Sequence, residues 1–239
     1  MRPLYPTTRA LATAAAWYHQ DVWLITVCVL VLLCTGCGRP SEPTPASSTE
    51  PRAVSINPAR IDRARGAAPD GYEVAGYAGP PAPITLWGFG DAAVSEPRQC
   101  GVLMTPAVDP ATTRGWTASG PGGIVYAVVA RSMHPQAPDS VLLAECAQWT
   151  VASGRTTGTV TEESGPAVDA AQTVTMSTEA TTVVEGGTET RSRAETFIAY
   201  LGGYVCLVAV VTDPGSPYLT LDAGFGADLL TTVVSAVRG

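Results

Sequence analysis

The chain has 239 residues, of which 21 are Asp or Glu and 14 are Arg, with no lysine, for a formal charge of −7. An acidic chain with scattered cations lacks the Lys/Arg clusters that nucleic acids and anionic membrane surfaces select, which excludes nucleic acid as a partner and polybasic docking on lipid. The length allows one globular domain, large enough to bury about 70% of its unfolded surface, with residues left over for a leader and a linker.

In chain order, the first informative stretch is Val22 to Leu33, twelve residues apolar apart from Thr26, with Arg2 and Arg9 before it and the tetrad Cys34-Thr35-Gly36-Cys37 after it. Crossing a hydrocarbon core about 30 Å thick takes roughly 20 apolar residues in a helix, so a shorter run fits the apolar core of an export signal. The tetrad resembles the lipobox of bacterial lipoproteins. That resemblance implies that Cys37 is diacylated on sulfur and becomes the new N-terminus, while Cys28 and Cys34 depart with residues 1–36. The family usually has Leu where Cys34 stands, and the polar lead of about twenty residues fits a start codon further along. An uncleaved signal anchor and a secreted chain cut elsewhere are the competing readings. The expectation is attachment to the extracytoplasmic face of the cell membrane through the N-terminal lipid. From Cys37 onward, 12 Arg and 20 Asp plus Glu give a charge of −8.

Residues 37–55 join that cysteine to a stretch where Pro40, Pro43, Pro45 and Pro51 stand among Ser, Thr and Glu. Too few apolar side chains are present to offset the ordering of the chain, so this is a tether. Seventeen extended residues, Arg39 to Ser55, would reach about 50 Å at roughly 3 Å each. The globular domain is then 56–239.

Within it, Asn57-Pro58 predicts a capped short helix with Ile61 inward and Gly66 at its end. "DGYEVAGYAG" and "PITLWGFG" read as short extended pieces, and "SEPRQCGVLM" as another short helix. "GWTASGPGGIVYAVVARS" predicts a hairpin turning at Gly120-Pro121-Gly122-Gly123. Asp139 caps a predicted helix in which Leu142, Leu143, Cys146 and Trp149 recur at helical spacing up to Gly154. Strands are expected at Thr156–Glu163, Gln172–Glu185, Thr188–Leu201 and Tyr204–Thr212, joined by Gly-Gly turns into an antiparallel meander. Phe225, Leu229, Val233 and Val237 mark one face of a C-terminal helix. The expected fold is α+β: an antiparallel sheet of about five to six strands packed with helices.

"PARIDRARGAAPDGYEV", "WGFG", "RQC", "RGWTASGPGGIVYAVVA" and the closing helix resemble a family of uncharacterised mycobacterial lipoproteins carrying a domain of unknown function. The lysine-free composition agrees with a high-GC genome. More remotely, the layout, ending in "ETFIAYLGGYVCLVAVVTDP", is similar to the extracellular sensor domain of PknH-type mycobacterial receptor kinases. In that sensor fold a first pair of cysteines bridges helical segments, and the resemblance implies the same for Cys100 and Cys146. Closing that loop contributes about 4 kcal/mol in the chain-entropy view. An exported chain meets an oxidising compartment, where pairing is expected. Cys206, between Val205 and Leu207, is expected as a buried small apolar residue.

Few motifs carry chemistry. A Ser–His–Asp arrangement would have to run through His134, the one histidine beyond the leader. It stands in a Pro-rich stretch, and Ser119 lacks the G-x-S-x-G context. Gly120 to Gly123 lacks the Lys-Ser/Thr of a phosphate cradle. One histidine leaves too few ligands for zinc, and Glu162, Glu163, Glu185 and Glu189 read as solvated strand ends, so neither a metal nor a cofactor is expected. Trp87, Phe89, Trp116, Tyr126 and Trp149 are expected mostly in the core. If some line a cleft, Arg114 or Arg131 would orient an anionic or polar ligand there. The expected function is a non-catalytic domain binding an envelope ligand or protein, in the manner of a sensor or accessory. An envelope lipid carrier with an internal apolar chamber is the competing class, and a hydrolase the third.

Overall fold

The computed structural model describes residues 55–239 apart from Asp91, Pro135, Leu219 and Ala223. They belong to the compact unit Ala53–Gly239. The expected leader, the lipidation site Cys37 and residues 37–54 of the tether lie outside the described residues.

The first element, Pro58–Ala67, is a 3-10 helix rather than an α-helix. Its inward side chains explain why: Ile61 and Ala64 are buried at a spacing of three, and a helix of three residues per turn stacks such positions in line. Asn57 caps it, its Oδ1 accepting from the Ala59 N–H at 3.1 Å.

Nine strands follow. They are β1 (Glu73–Gly76), β2 (Val94–Glu96), β3 (Val108–Gly120), β4 (Gly123–Ser132), β5 (Gln148–Ser153), β6 (Thr156–Ser164), β7 (Gln172–Val183), β8 (Glu189–Leu201) and β9 (Tyr204–Thr212). They form one open sheet in the order β1-β3-β4-β9-β8-β7-β6-β5-β2, and every neighbouring pair is antiparallel. Between β8 and β9, Gly202 and Gly203 both take positive φ, 44° and 101°. That two-residue turn has the twist an antiparallel hairpin requires and excludes a β-branched side chain.

Both faces of the sheet centre are covered. On one, Trp116, Val129, Ala199, Cys206 and Val208 pack with Ile61 and with Leu229, Leu230, Val233, Val234 and Val237. Those last five come from α4, which we number after three short helices, α1 (Pro83–Leu86), α2 (Gly101–Met104) and α3 (Ser140–Glu145); α4 spans Phe225–Arg238. Gly226 lies in its first turn because a Cβ there would overlap the Phe197 ring. On the other face, Trp87, Leu103, Trp149, Met176, Ile198 and Leu207 form a second layer beneath α1, α2 and neighbouring loops.

The expected α+β fold with five to six strands is thus corrected: the domain is mostly β, with nine strands and helices that are short apart from α4. Three segments supply the added strands, and the first is Glu73–Gly76, read from the sequence as a short extended piece, which joins the sheet as edge strand β1 against β3. The helix predicted from Ser140 to Gly154 stops after six residues, and Trp149 and Val151 instead alternate inward along β5, paired to β6. Val94 to Glu96 adds edge strand β2. Conversely, the "PITLW" piece expected to be extended is helix α1. The Gly120–Gly123 hairpin, the four late strands, with Gly-Gly turns between the last three, and α4 stand as predicted.

Candidate functional site

Cys100 and Cys146 are disulfide-bonded, with Cα atoms 5.6 Å apart. The bond holds the segment after Cys100 beside the segment before Cys146. Between these two walls opens a concavity of about 620 Å³, with Val102, Ala107 and Leu142 on the walls and Tyr200 and Val205 contributed by the β8–β9 hairpin. The walls are tied to the sheet by Met133 N–H to Ala107 O at 2.9 Å and by Gln172 Nε2 to Pro138 O at 2.6 Å. Asp139 fixes the start of α3, its Oδ1 accepting from Leu142 N–H at 2.8 Å. Val102, 52% exposed, gives the lining an open apolar patch beside Thr105 and Gln136.

Tyr200 is one of several polar side chains of this cavity. Burial pushes its phenol up to about 12, so it is a neutral O–H at any ordinary pH. Among the described residues its hydroxyl has no hydrogen-bond partner, and Tyr200 lines the open volume. Ser132, His134 and Asp139 line the same cavity. Ser132 Oγ, however, donates to the backbone carbonyl of His134, and the Asp139 carboxylate serves the helix cap.

A second cleft of about 320 Å³ lies on the sheet face that carries α4, lined by Asn57, Thr112, Arg114, Arg131 and Tyr204 among others. Arg131 Nη2 donates to the Tyr204 hydroxyl at 3.2 Å, with its guanidinium carbon 5.5 Å from the ring centre. Arg114 Nη1 donates to Thr113 O at 2.6 Å. The ion pairs of the described residues involve Arg65, Arg191 and Arg193; Arg114 and Arg131 are in none.

The model of a domain of unknown function, DUF5642, matches residues 57–238. The chain belongs to the DUF5642 family. No curated protein matches the sequence. Among solved structures, the X-ray structure of an uncharacterised protein from Mycobacterium smegmatis (the Rv0999 ortholog) is similar, with a TM-score of 0.55 at 18% identity. The match covers 77% of this chain and 98% of that one. At that identity the likeness establishes a shared fold.

In this DUF5642 domain the aromatic residues considered as cleft walls are core. Trp87, Phe89 and Trp116 are buried. Trp87 Nε1 donates to Thr196 Oγ1 at 2.8 Å and Trp116 Nε1 to Ile61 O at 3.3 Å, which leaves neither indole free for a ligand. Tyr126 is half-buried, its ring edge-on to Tyr77 with centres 6.0 Å apart. The aromatic wall beside Arg114 and Arg131 is corrected accordingly: the two arginines share a cleft, and Tyr204 supplies its ring. Cys206 is buried and unpaired, with burial pushing its thiol up to about 12. Among the described residues no group of three or more His, Cys, Asp or Glu could hold a metal ion, and no helix is long and apolar enough to cross a membrane.

Sequence reasoning missed Tyr200 and Tyr204. Both sit in strands whose apolar runs announce core, and each acquires its role from partners far along the chain. The one available signal was the cysteine pair, since bonding Cys100 to Cys146 brings Val102 and Leu142 together.

Proposed function

We propose that this chain is a cell-envelope lipoprotein, anchored through Cys37 on the extracytoplasmic side, whose non-catalytic domain binds a small, partly apolar ligand in the cavity at Tyr200. One observation carries the reading: the half-buried Tyr200, whose hydroxyl has no hydrogen-bond partner among the described residues, lines a cavity in which Val102, Ala107, Leu142 and Val205 stand beside a few polar groups, Ser132, His134 and Asp139 among them. Ligand pockets combine apolar walls with a few placed polar groups in this way. A carbonyl or hydroxyl oxygen of the ligand accepts from the Tyr200 O–H while its apolar body lies against Val102, Leu142 and Val205. A lipid carrier would need an enclosed chamber, whereas Trp87, Trp116, Trp149 and Met176 are packed into two closed layers. The disulfide supports an oxidising compartment, and the leader and lipobox-like tetrad support the anchor. A sensor or accessory role follows from the resemblance to PknH-type sensor domains.

The test is mass spectrometry of small molecules that co-purify with the protein from its native envelope, for the parent chain and Tyr200→Phe. A ligand retained by the parent and depleted in the variant supports the reading; identical profiles overturn it. The anchor is checked separately, since Cys37→Ser should leave the membrane fraction and lose the mass of the acyl chains.

The gathering of Ser132, His134 and Asp139 in the same cavity favours a second reading, ester hydrolysis. It requires Ser132 to turn from the His134 carbonyl to the imidazole. Turnover of a nitrophenyl ester that vanishes in both Ser132→Ala and His134→Ala would replace the binding reading with this one.

A further inference from the structure

The cleft at Arg114 and Arg131 is separate from the Tyr200 cavity and carries its own chemistry. In the ladder Arg114 is opposite Val129, and Arg131, two residues along the same strand, is opposite Tyr204. The pleat therefore sends all three side chains to one face. Each guanidinium is held at one point, Arg131 by the Tyr204 hydroxyl and Arg114 by Thr113 O, which leaves its other N–H groups unused.

What remains around the cleft is a set of donors. Tyr204 oxygen accepts from Arg131, so its own O–H proton is free to donate. Asn57 Oδ1 is taken by Ala59 N–H at 3.1 Å, leaving its amide N–H groups. Thr112 Oγ1 donates to Asp109 O at 2.7 Å and accepts from Arg131 N–H at 2.8 Å. Among the described residues, no carboxylate lines the cleft. Asp109, across the ladder from Arg131, turns its Oδ1 to the Ala111 N–H at 3.0 Å. In a chain of charge −7 without lysine, two uncompensated arginines facing one cleft of about 320 Å³ form a donor-only pocket. Paired guanidinium forks match the several oxygens of a tetrahedral oxyanion better than the two of a carboxylate.

We infer that this cleft binds a phosphate group, held between Arg114 and Arg131 with the Tyr204 hydroxyl as third donor. The group belongs to a soluble phosphate compound or to a phospholipid head. One site of this kind differs from polybasic docking, which needs a cluster of cations spread over a surface.

Arginine modification by phenylglyoxal, mapped by mass spectrometry on the full chain in a neutral detergent, tests this. Inorganic phosphate should slow modification of Arg114 and Arg131 relative to exposed Arg155, with chloride at equal ionic strength having no such effect. Arg131→Gln should raise the phosphate concentration that half-protects Arg114 about tenfold, the loss expected for one charged contact. A second arm uses the chain in phosphatidylcholine vesicles with and without phosphatidylglycerol. Protection by inorganic phosphate assigns a soluble compound, and protection by phosphatidylglycerol alone assigns a lipid head. If both arginines react at unchanged rates in both arms, or if Arg155 is protected equally, the inference fails.

Discussion

The two halves of the sheet obey different rules. In the centre, Val205, Cys206, Leu207, Val208, Ala209 and Val210 are buried in unbroken succession, because α4 with the 3-10 helix covers one face of β9 and the α1–α2 layer covers the other. In the outer half, burial along β7 alternates. Val174, Met176, Thr178 and Ala180 point inward, while Thr173, Thr175 and Ser177 are half-exposed and Glu179 is in solvent, ion-paired to its ladder partner Arg193. A strand is written as a continuous apolar run only where both its faces are covered, and as an alternation where one faces water. The polar side of β5 to β7 is where the C-terminal helix ends its reach.

That contrast can be broken at its strongest point. Trp116→Ala removes a fully buried indole from the two-sided half and should cost about 3–5 kcal/mol, read as a shift in the urea midpoint. Replacing Cys100 and Cys146 by Ser opens a loop with a separation of 46 residues and should cost up to about 4 kcal/mol. The same double variant should lose any ligand of the Tyr200 cavity, since the bond holds both walls. Tyr200, near the boundary between the halves, gives a pH signature. Burial raises its phenol from an ordinary value near 10 to about 12, so folding favours the protonated form. Its contribution is complete below pH 10 and declines as pH rises from about 10 to 12, by on the order of 2 kcal/mol. Unfolding measured across that window should be steeper for the parent than for Tyr200→Phe. Least of all, Thr175→Ala on the wet face should shift stability by no more than about 0.5 kcal/mol. A cost comparable to that of Trp116→Ala would mean that this face is covered by something.

The strands and α4 were legible because their signals are local. Glycine pairs at 186–187 and 202–203 punctuate runs of β-branched residues, and the apolar stripe from Leu229 to Val237 repeats at helical spacing. Between Asp139 and Gly154 legibility failed for a physical reason. Leu142, Leu143, Cys146 and Trp149 fit helical spacing by coincidence, and only pairing to β6, with the crosslink at Cys146, decides that Trp149 belongs to a strand. The arginine cleft was half legible. Arg114 and Arg131 were singled out as cations near aromatic residues, but Trp116 turns its ring into the core, and the ring that meets Arg131 is Tyr204, 73 positions away.

The Asn57 N–H bonds to the Val237 carbonyl at 2.8 Å, and the 3-10 helix that starts there lies along α4. Tension on the chain upstream of residue 57 therefore reaches the last turn of α4 before it reaches any strand. Pulling there should separate the 3-10 helix and α4 from the sheet before the strands part, because each strand pair is held along its length by backbone hydrogen bonds.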